Sequence, residues 1–363
     1  MREEAIAFAP GRLNLIGEHT DYNGGLALAL AIREGVTVRA RPLSGRRIEA
    51  VAADLGEVDR FDLEQPLPAP DWRGYVRGVA GELRRAGLPL RGAHLTISST
   101  LPRGGGLSSS AALEVALCLA LAACSAVPAP EPIALARICS RVEHDWVGVR
   151  SGLLDPLASI GGRAGSALLI DFRSLETSVV ALALNGFRLV VLDSGERRQN
   201  AGSAYNQRRA ECSRACRELG IGSLRELGLD GVRESGVPGA VRGLAPPLPA
   251  RVQHVLSENR RVEAAVAALQ RRDLAAVGAL LDASHASLRD RYEVSTPAVE
   301  AAVGRLRRAG AIGARVVGGG FGGHVLGLLA PEAPIPAGAV EVHAGPGASV
   351  RALADSVRSR PDP

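Results

Sequence analysis

The segment Pro102-Arg-Gly-Gly-Gly-Leu-Ser-Ser-Ser constrains the fold of this chain more than any other stretch, because it joins the β-patterned His94-Leu-Thr-Ile-Ser to an apolar helix beginning near Ser109. A strand that runs through three glycines into a helix start offers free backbone N–H groups and the positive end of the helix dipole to an anion. Serine hydroxyls there can bond phosphate or complete the shell of a divalent cation. This is the physics of a phosphate cradle, although a tight turn with a serine cap uses the same residues.

Around this loop, strand and helix patterns alternate in mixed order, which predicts an α+β architecture in two lobes. Ala5 to Ala9 reads as a strand that stops at Pro10-Gly11 and enters a polar loop extending to Gly25. Alternation through Val36-Thr-Val-Arg-Ala and Arg47-Ile-Glu-Ala-Val predicts further strands. Val76, Val79, Ala80 and Leu83 fall at helical spacing after Trp72, with Gly87 as the stop. Later strands are expected over residues 167–172, 178–184, 188–192 and 324–329, and helices over 205–219, 250–270, 274–289 and 297–309. The Pro-rich pieces at 66–70, 128–132, 246–249 and 331–336 read as surface loops, too short for a flexible linker.

Composition narrows the chemistry. With 363 residues, 46% hydrophobic and 22% charged, the chain has the make-up of a globular protein of two domains or one large one. All 43 basic residues are Arg, so there is no lysine for a Schiff base, a G-K-[ST] phosphate loop or a protein-kinase strand. The net charge of +5 comes with Arg interspersed with Glu, as in Glu258-Asn-Arg-Arg-Val-Glu263, which reads as a solvated helix face and lacks the aromatic platforms of a nucleic-acid surface. No nucleic-acid partner is expected. The five cysteines form no C-x-x-C pair and read as small buried hydrophobes in a reducing, cytoplasmic compartment. The N-terminal apolar run is too short for a signal peptide, and the stretch from Ala111 to Pro130 contains Glu114, so no membrane association is expected.

A second cluster, Gly318-Gly-Gly-Phe-Gly-Gly323, matches G-x-G-x-x-G formally. That dinucleotide fingerprint needs a helix to start within it, whereas His324-Val-Leu-Gly-Leu-Leu reads as a strand. A strand, glycine turn, strand arrangement that brings backbone close to a loop or ligand is the better reading.

The stretch Pro10-Gly-Arg-Leu-Asn-Leu-Ile-Gly-Glu-His-Thr-Asp-Tyr-Asn-Gly-Gly25 closely resembles the signature of galactokinases, in the small-molecule (GHMP) kinase superfamily that includes homoserine, mevalonate and phosphomevalonate kinases. The similarity continues in order through the 104–110 loop, Arg141-Val-Glu-His-Asp-Trp-Val-Gly-Val, Gly152-Leu-Leu-Asp155, Tyr205-Asn-Gln-Arg-Arg-Ala-Glu-Cys and the 318–323 cluster, from about Ala5 to Leu329. The resemblance implies an N-terminal ribosomal-protein-S5-like lobe (1–165), a C-terminal ferredoxin-like lobe (166–363) and an active site between them. It also implies transfer of the γ-phosphoryl group of ATP to the anomeric hydroxyl of α-D-galactose with Mg²⁺, by a monomer or weak homo-oligomer.

Position by position, the resemblance places Asp155 as the catalytic carboxylate and Arg12 as the arginine beside it, a pairing suited to phosphoryl charge. Whether Asp155 removes the proton or orients the hydroxyl stays open at this level. Glu18, His19, Thr20, Asp21, Gly152 and Tyr205 match the sugar-binding positions. Gly104, Gly105, Gly106, Leu107, Ser108, Ser109 and Ser110 match the nucleotide loop, and Trp72 a position near the adenine. Ser110 and Glu143 match the positions that serve Mg²⁺, an ion that keeps several waters and leans on phosphates.

Two residues depart from the pattern. Pro156 stands where Gln is usual; it is harmless if Asp155 is an N-cap with Pro156 as the first helical residue, and otherwise weakens catalysis. His324 replaces a small residue, with no function to account for it. The alternatives to a galactokinase are a kinase for N-acetylgalactosamine or arabinose and a non-catalytic sensor of galactose and ATP, the last favoured only by Pro156.

Overall fold

The computed structural model describes residues 4–102, 106–196, 201–228 and 239–353. Two antiparallel strands open the chain, β1 (Glu4–Ile16) and β2 (Leu26–Pro42), followed by β3 (Arg47–Ala52), β4 (Glu57–Asp62), α1 (Asp71–Arg85) and β5 (Ala93–Ser99). Three helices come next, α2 (Ser109–Cys124), α3 (Pro132–Arg141) and α4 (Leu154–Gly161), with a π-helical turn at Val142–Val147 between the last two. Then follow β6 (Ser166–Asp171), β7 (Thr177–Ala181), β8 (Arg188–Asp193), α5 (Ala201–Leu219), α6 (Leu248–Gln270), α7 (Leu274–Asp290) and α8 (Pro297–Arg308). The described chain closes with β9 (Ala311–Val316), β10 (His324–Leu329), β11 (Ala339–Glu341) and β12 (Ser349–Leu353).

The first sheet runs β12-β1-β2-β5-β3-β4, with β6 and β7 branching from the N-terminal half of β2. The second is β11-β8-β10-β9, antiparallel throughout. The division expected between residues 165 and 166 cuts across the first sheet, because β6, β7 and β12 all hydrogen-bond within it. The α+β reading holds, and the helices begin within a few residues of the predicted starts. α3 is a helix not predicted above, and Pro132, the last residue of the 128–132 piece, takes its first turn, where no N–H is needed.

The core explains the periodicities. Val76, Val79 and Leu83 of α1 are fully buried, each contributing about 1.5–3 kcal/mol by leaving water. α2 is apolar all round and buried over most of its length, as befits a central helix.

One strand departs from expectation in a way that builds the site. β1 does not stop at Pro10-Gly11 but continues to Ile16, with a register shift against β2 between Pro10 and Arg12. Proline has no N–H for the ladder, so the pairing breaks there without ending the strand. The next N–H to point away, that of Arg12, donates instead to Leu107 O at 3.0 Å. A Cβ on Gly11 would stand 2.6 Å from that same carbonyl, so only glycine lets strand and loop meet so closely.

Candidate active site

That bulge aims Arg12 into a cavity of about 860 Å³ between the two sheets. Its guanidinium grips Asp155 with both arms, Nε to Oδ1 at 2.7 Å and Nη2 to Oδ2 at 2.9 Å, and its Nη1 donates to Gly106 O at 2.9 Å. Ser108 Oγ donates to the same Asp155 carboxylate. Bidentate, charge-assisted pairs of this kind fix geometry as well as charge. A carboxylate has about four lone-pair sites, and the three donors leave one for a hydroxyl in the cavity.

Asp155 is not an N-cap. Leu153 takes that place, Asp155 is the second residue of α4 and Pro156 the third. The first helical bond is Leu157 N to Leu153 O at 3.1 Å, so Pro156 lacks only an N–H that no helical carbonyl would meet. The expectation about capping is therefore corrected, and the proline is tolerated for a related reason.

On one side of the pair lies the turn joining β1 to β2. His19 sits in the left-handed region (φ 61°), and Thr20 is fully buried with its hydroxyl between the carbonyls of Gly17 (2.9 Å) and Leu26 (2.8 Å). Thr20 thus builds the turn and does not line the cavity, whereas Glu18, His19 and Asp21 do. Glu18 Oε1 accepts from Gly318 N at 2.7 Å and from Arg315 Nη2. His19 Nδ1 shares a hydrogen with Tyr22 Oη at 2.7 Å, and its Nε2 is buried with no hydrogen-bond partner. Burial, with His254 and Arg208 nearby, lowers the His19 pKa to about 3, so the ring is neutral. Asp21 is pushed up to about 6, first by burial and then by the Asp155 and Glu18 charges.

Gly152 explains itself by contact: a Cβ there would stand 1.7 Å from Asp21 Oδ2. Tyr205, from α5, places its ring 5.3 Å from that of His19 and closes this end of the cavity.

On the other side, the N-terminus of α2 presents Ser108, Ser109 and Ser110 to the cavity. Gly104 and Gly105 lie outside the described residues, while Gly106 has a left-handed backbone (φ 59°) beside the cavity. Leu107 is buried and contributes its carbonyl to Arg12 N. Ser110 Oγ donates to Glu143 Oε1 at 2.7 Å. Glu143 is nearly buried; burial and the Asp155 charge push its pKa up against the serine hydrogen bonds that lower it. Such a carboxylate gains from a cation. Among the described residues no three His, Cys, Asp or Glu side chains form a cage, so the hydroxyl and carboxylate pair fits a hard ion that draws its other ligands from water and phosphate, as Mg²⁺ does.

Trp72 stands apart. It is not part of the cavity wall; its indole N–H donates to Glu57 Oε2 at 2.9 Å and Arg73 stacks 5.1 Å from its ring. His144 and Asp145 are exposed and also off the cavity. The 318–323 cluster is a turn between β9 and β10, as read, with Gly318 and Gly320 left-handed (φ 74° each). His324 opens β10 and pairs with Asp193 across the ladder.

Sequence reasoning missed the side chains behind the pocket. Arg315, fully buried in β9, donates to Leu15 O (3.1 Å), Val316 O (3.0 Å) and Glu18. Glu258 of α6 accepts from Gly17 N (3.0 Å), Ser284 Oγ (2.7 Å) and Arg261 Nε (2.7 Å). An arginine inside an apolar strand directly before a glycine cluster was the available signal for the first; the second lies in the Glu258–Glu263 stretch, which reads as a solvated helix face but has Glu258, Asn259 and Arg261 buried.

Comparison with known proteins shows the family. A family model described as the galactokinase galactose-binding signature matches residues 1–42, and those of the GHMP kinase N-terminal and C-terminal domains match 74–163 and 265–344. The galactokinase of Roseiflexus sp. (strain RS-1) is 44% identical over 327 residues, 89% of this chain and 83% of that one. The galactokinase of Mycobacterium tuberculosis (strain ATCC 25618 / H37Rv) is 40% identical over 331 residues, 88% of each. The crystal structure of Lactococcus lactis galactokinase complexed with galactose superposes with a TM-score of 0.86 at 31% identity, covering 95% of both chains. The mevalonate kinase of Methanococcus jannaschii, 18% identical with a TM-score of 0.65 over 90% of this chain and 91% of that one, shares the fold.

Proposed function

The chain belongs to the galactokinase family of the GHMP kinases, and from that membership we propose how its site works as an ATP-dependent sugar kinase that phosphorylates the anomeric hydroxyl of α-D-galactose to give galactose 1-phosphate and ADP. The observation that carries the reading is the Arg12–Asp155 pair standing in one cavity between a turn lined with sugar-suited groups and a serine-rich helix start.

The sugar lies against Glu18, His19 and Asp21, whose oxygens and neutral imidazole suit vicinal hydroxyls, with Gly152 and Tyr205 shaping the space around it. The phosphates of ATP lie at the start of α2, within reach of Gly106 to Ser110 and of the helix dipole. Ser110 and Glu143 hold Mg²⁺, which when bound offsets phosphate charge. Asp155 accepts the hydrogen bond of the anomeric hydroxyl and aims its oxygen at the γ-phosphorus, and Arg12 supplies positive charge where the transferring group gathers negative charge. Trp72 is not among the residues that line the cavity, and this reading assigns it no part.

The test is ADP release from ATP and Mg²⁺ with galactose, N-acetylgalactosamine, arabinose, glucose or mevalonate. Turnover on galactose is expected, and Asp155→Ala is expected to lower kcat by roughly 10²- to 10⁴-fold while galactose still binds. Native turnover in that variant would remove Asp155 from the mechanism. Turnover on another sugar alone would move the enzyme within the family, and galactose binding without turnover would identify a sensor.

A further inference from the structure

α1 backs the proposed metal side of the site without entering the cavity. Gly78 and Gly81 lie three residues apart on one face of α1, and the Trp146 indole fills the groove they leave. A Cβ on Gly81 would stand 2.5 Å from Trp146 Cζ2 and 2.8 Å from Cη2, and one on Gly78 would stand 2.9 Å from Trp146 Cγ. Glycine weakens a helix relative to alanine, so Gly78 and Gly81, two of the three glycines in α1, mark a contact that requires the room.

The next residue, Glu82, has a side chain with 0% exposure. Its Oε1 accepts from Trp146 Nε1 at 3.2 Å and from Arg85, and its Oε2 accepts from Arg141 Nε at 2.6 Å. A buried carboxylate satisfied this way is held in place, and it holds its donors. Glu143 lies in the π-helical turn, flanked by Arg141, which caps the turn two residues before it, and by Trp146 three residues after. Wide turns of this kind recur at functional positions because they re-aim a side chain.

We propose that Glu82 and the Gly78–Gly81 groove are positioning elements for the metal: by seating Trp146 and Arg141 they set where the Glu143 carboxylate stands relative to Ser110, and so govern affinity for the Mg²⁺-nucleotide while leaving sugar binding alone. This rests on the assignment of Glu143 to Mg²⁺ made above.

Calorimetric titration of the full chain with ADP over a series of Mg²⁺ concentrations reads metal affinity without turnover, and galactose titration is the control. Gly81→Ala is expected to raise the Mg²⁺ concentration for half-maximal tightening by about tenfold, the scale of outer-shell losses, with galactose affinity unchanged. A role in folding alone would instead weaken both ligands together. A folded Gly81→Ala protein with native Mg²⁺ dependence overturns the proposal, as does a matching loss of galactose affinity. If Gly81→Ala does not fold, Trp146→Phe, which keeps a ring but drops the N–H to Glu82, decides on the same two readouts. Glu143→Ala separates the two levels. Native Mg²⁺ dependence in Glu143→Ala refutes the metal assignment and the proposal with it, whereas a shift there and none in Gly81→Ala refutes only the positioning role.

Discussion

Individual residues in this cavity owe their chemistry to the neighbours that three-dimensional packing gives them. Asp21 is an ordinary aspartate in sequence, yet burial and nearby carboxylates bring its pKa to about 6. Its folded value lies above the unfolded one, so the folded protein holds this proton more tightly, and lowering the pH through 6 converts an acceptor pair into a neutral acid. Galactose affinity, measured by calorimetry across a pH series, is expected to fall as the pH drops below about 6, and Asp21→Asn is expected to bind weakly with a flat profile. A break at the same pH in Asp21→Asn would assign the titration to another group. His19 takes no part in that window, since its pKa near 3 keeps it neutral across it.

At the scale of elements, the two prolines beside the catalytic pair show how local sequence rules mislead when an irregularity is useful. Pro10 looked like a strand end and is a register shift, which turns Arg12 toward Leu107 and the serine-rich loop. Pro156 looked like a threat to Asp155 and occupies a first-turn position whose N–H has no helical partner. Pro156→Gln is therefore expected to leave kcat unchanged and to lower stability by about 0.4–1 kcal/mol through added freedom of the unfolded chain. A large rise in kcat in that variant would show that the proline does displace Asp155.

Across the whole molecule, the sugar turn is built from the N-terminal strands but bolted down by later elements. Glu258 of α6 holds Gly17 N, Asn259 Oδ1 accepts from Leu26 N at 2.8 Å, and His254 Nε2 meets Glu18 O at 3.1 Å. Burial alone would raise the Glu258 pKa, but the Arg261, His254 and Arg315 charges and the Ser284 hydrogen bond outweigh it and bring the value down to about 2. Glu258→Ala would remove the carboxylate that accepts from Gly17 N, Ser284 Oγ and the buried Arg261 Nε, at a cost of roughly 3–5 kcal/mol. Denaturant unfolding reads that loss, and galactose affinity is expected to fall with it; a loss below about 1 kcal/mol would show that the turn does not depend on this tie. Because the Glu258 pKa is depressed, its stabilising contribution is present above the unfolded carboxylate range and is lost as the pH falls toward 2.

Most of the site was legible in the sequence because it is carried by short contiguous stretches that resemble the galactokinase signature, whereas residue type and spacing alone offered a phosphate cradle or a capped turn. Residues from the 10–25 stretch, from Gly106 to Ser110 and from Gly152 to Asp155 line the cavity, and the strand after the second glycine cluster ruled out a dinucleotide fold. Tertiary structure decided what depends on contacts distant along the chain. Arg12 meets Asp155 across 143 residues and Glu18 meets Arg315 across 297; β6, β7 and β12 join the first sheet, and Trp72 turns away to Glu57. Pattern reports a residue's own helix or strand face, whereas the partner of a buried charge is set by how separate elements pack, a choice that no local period encodes.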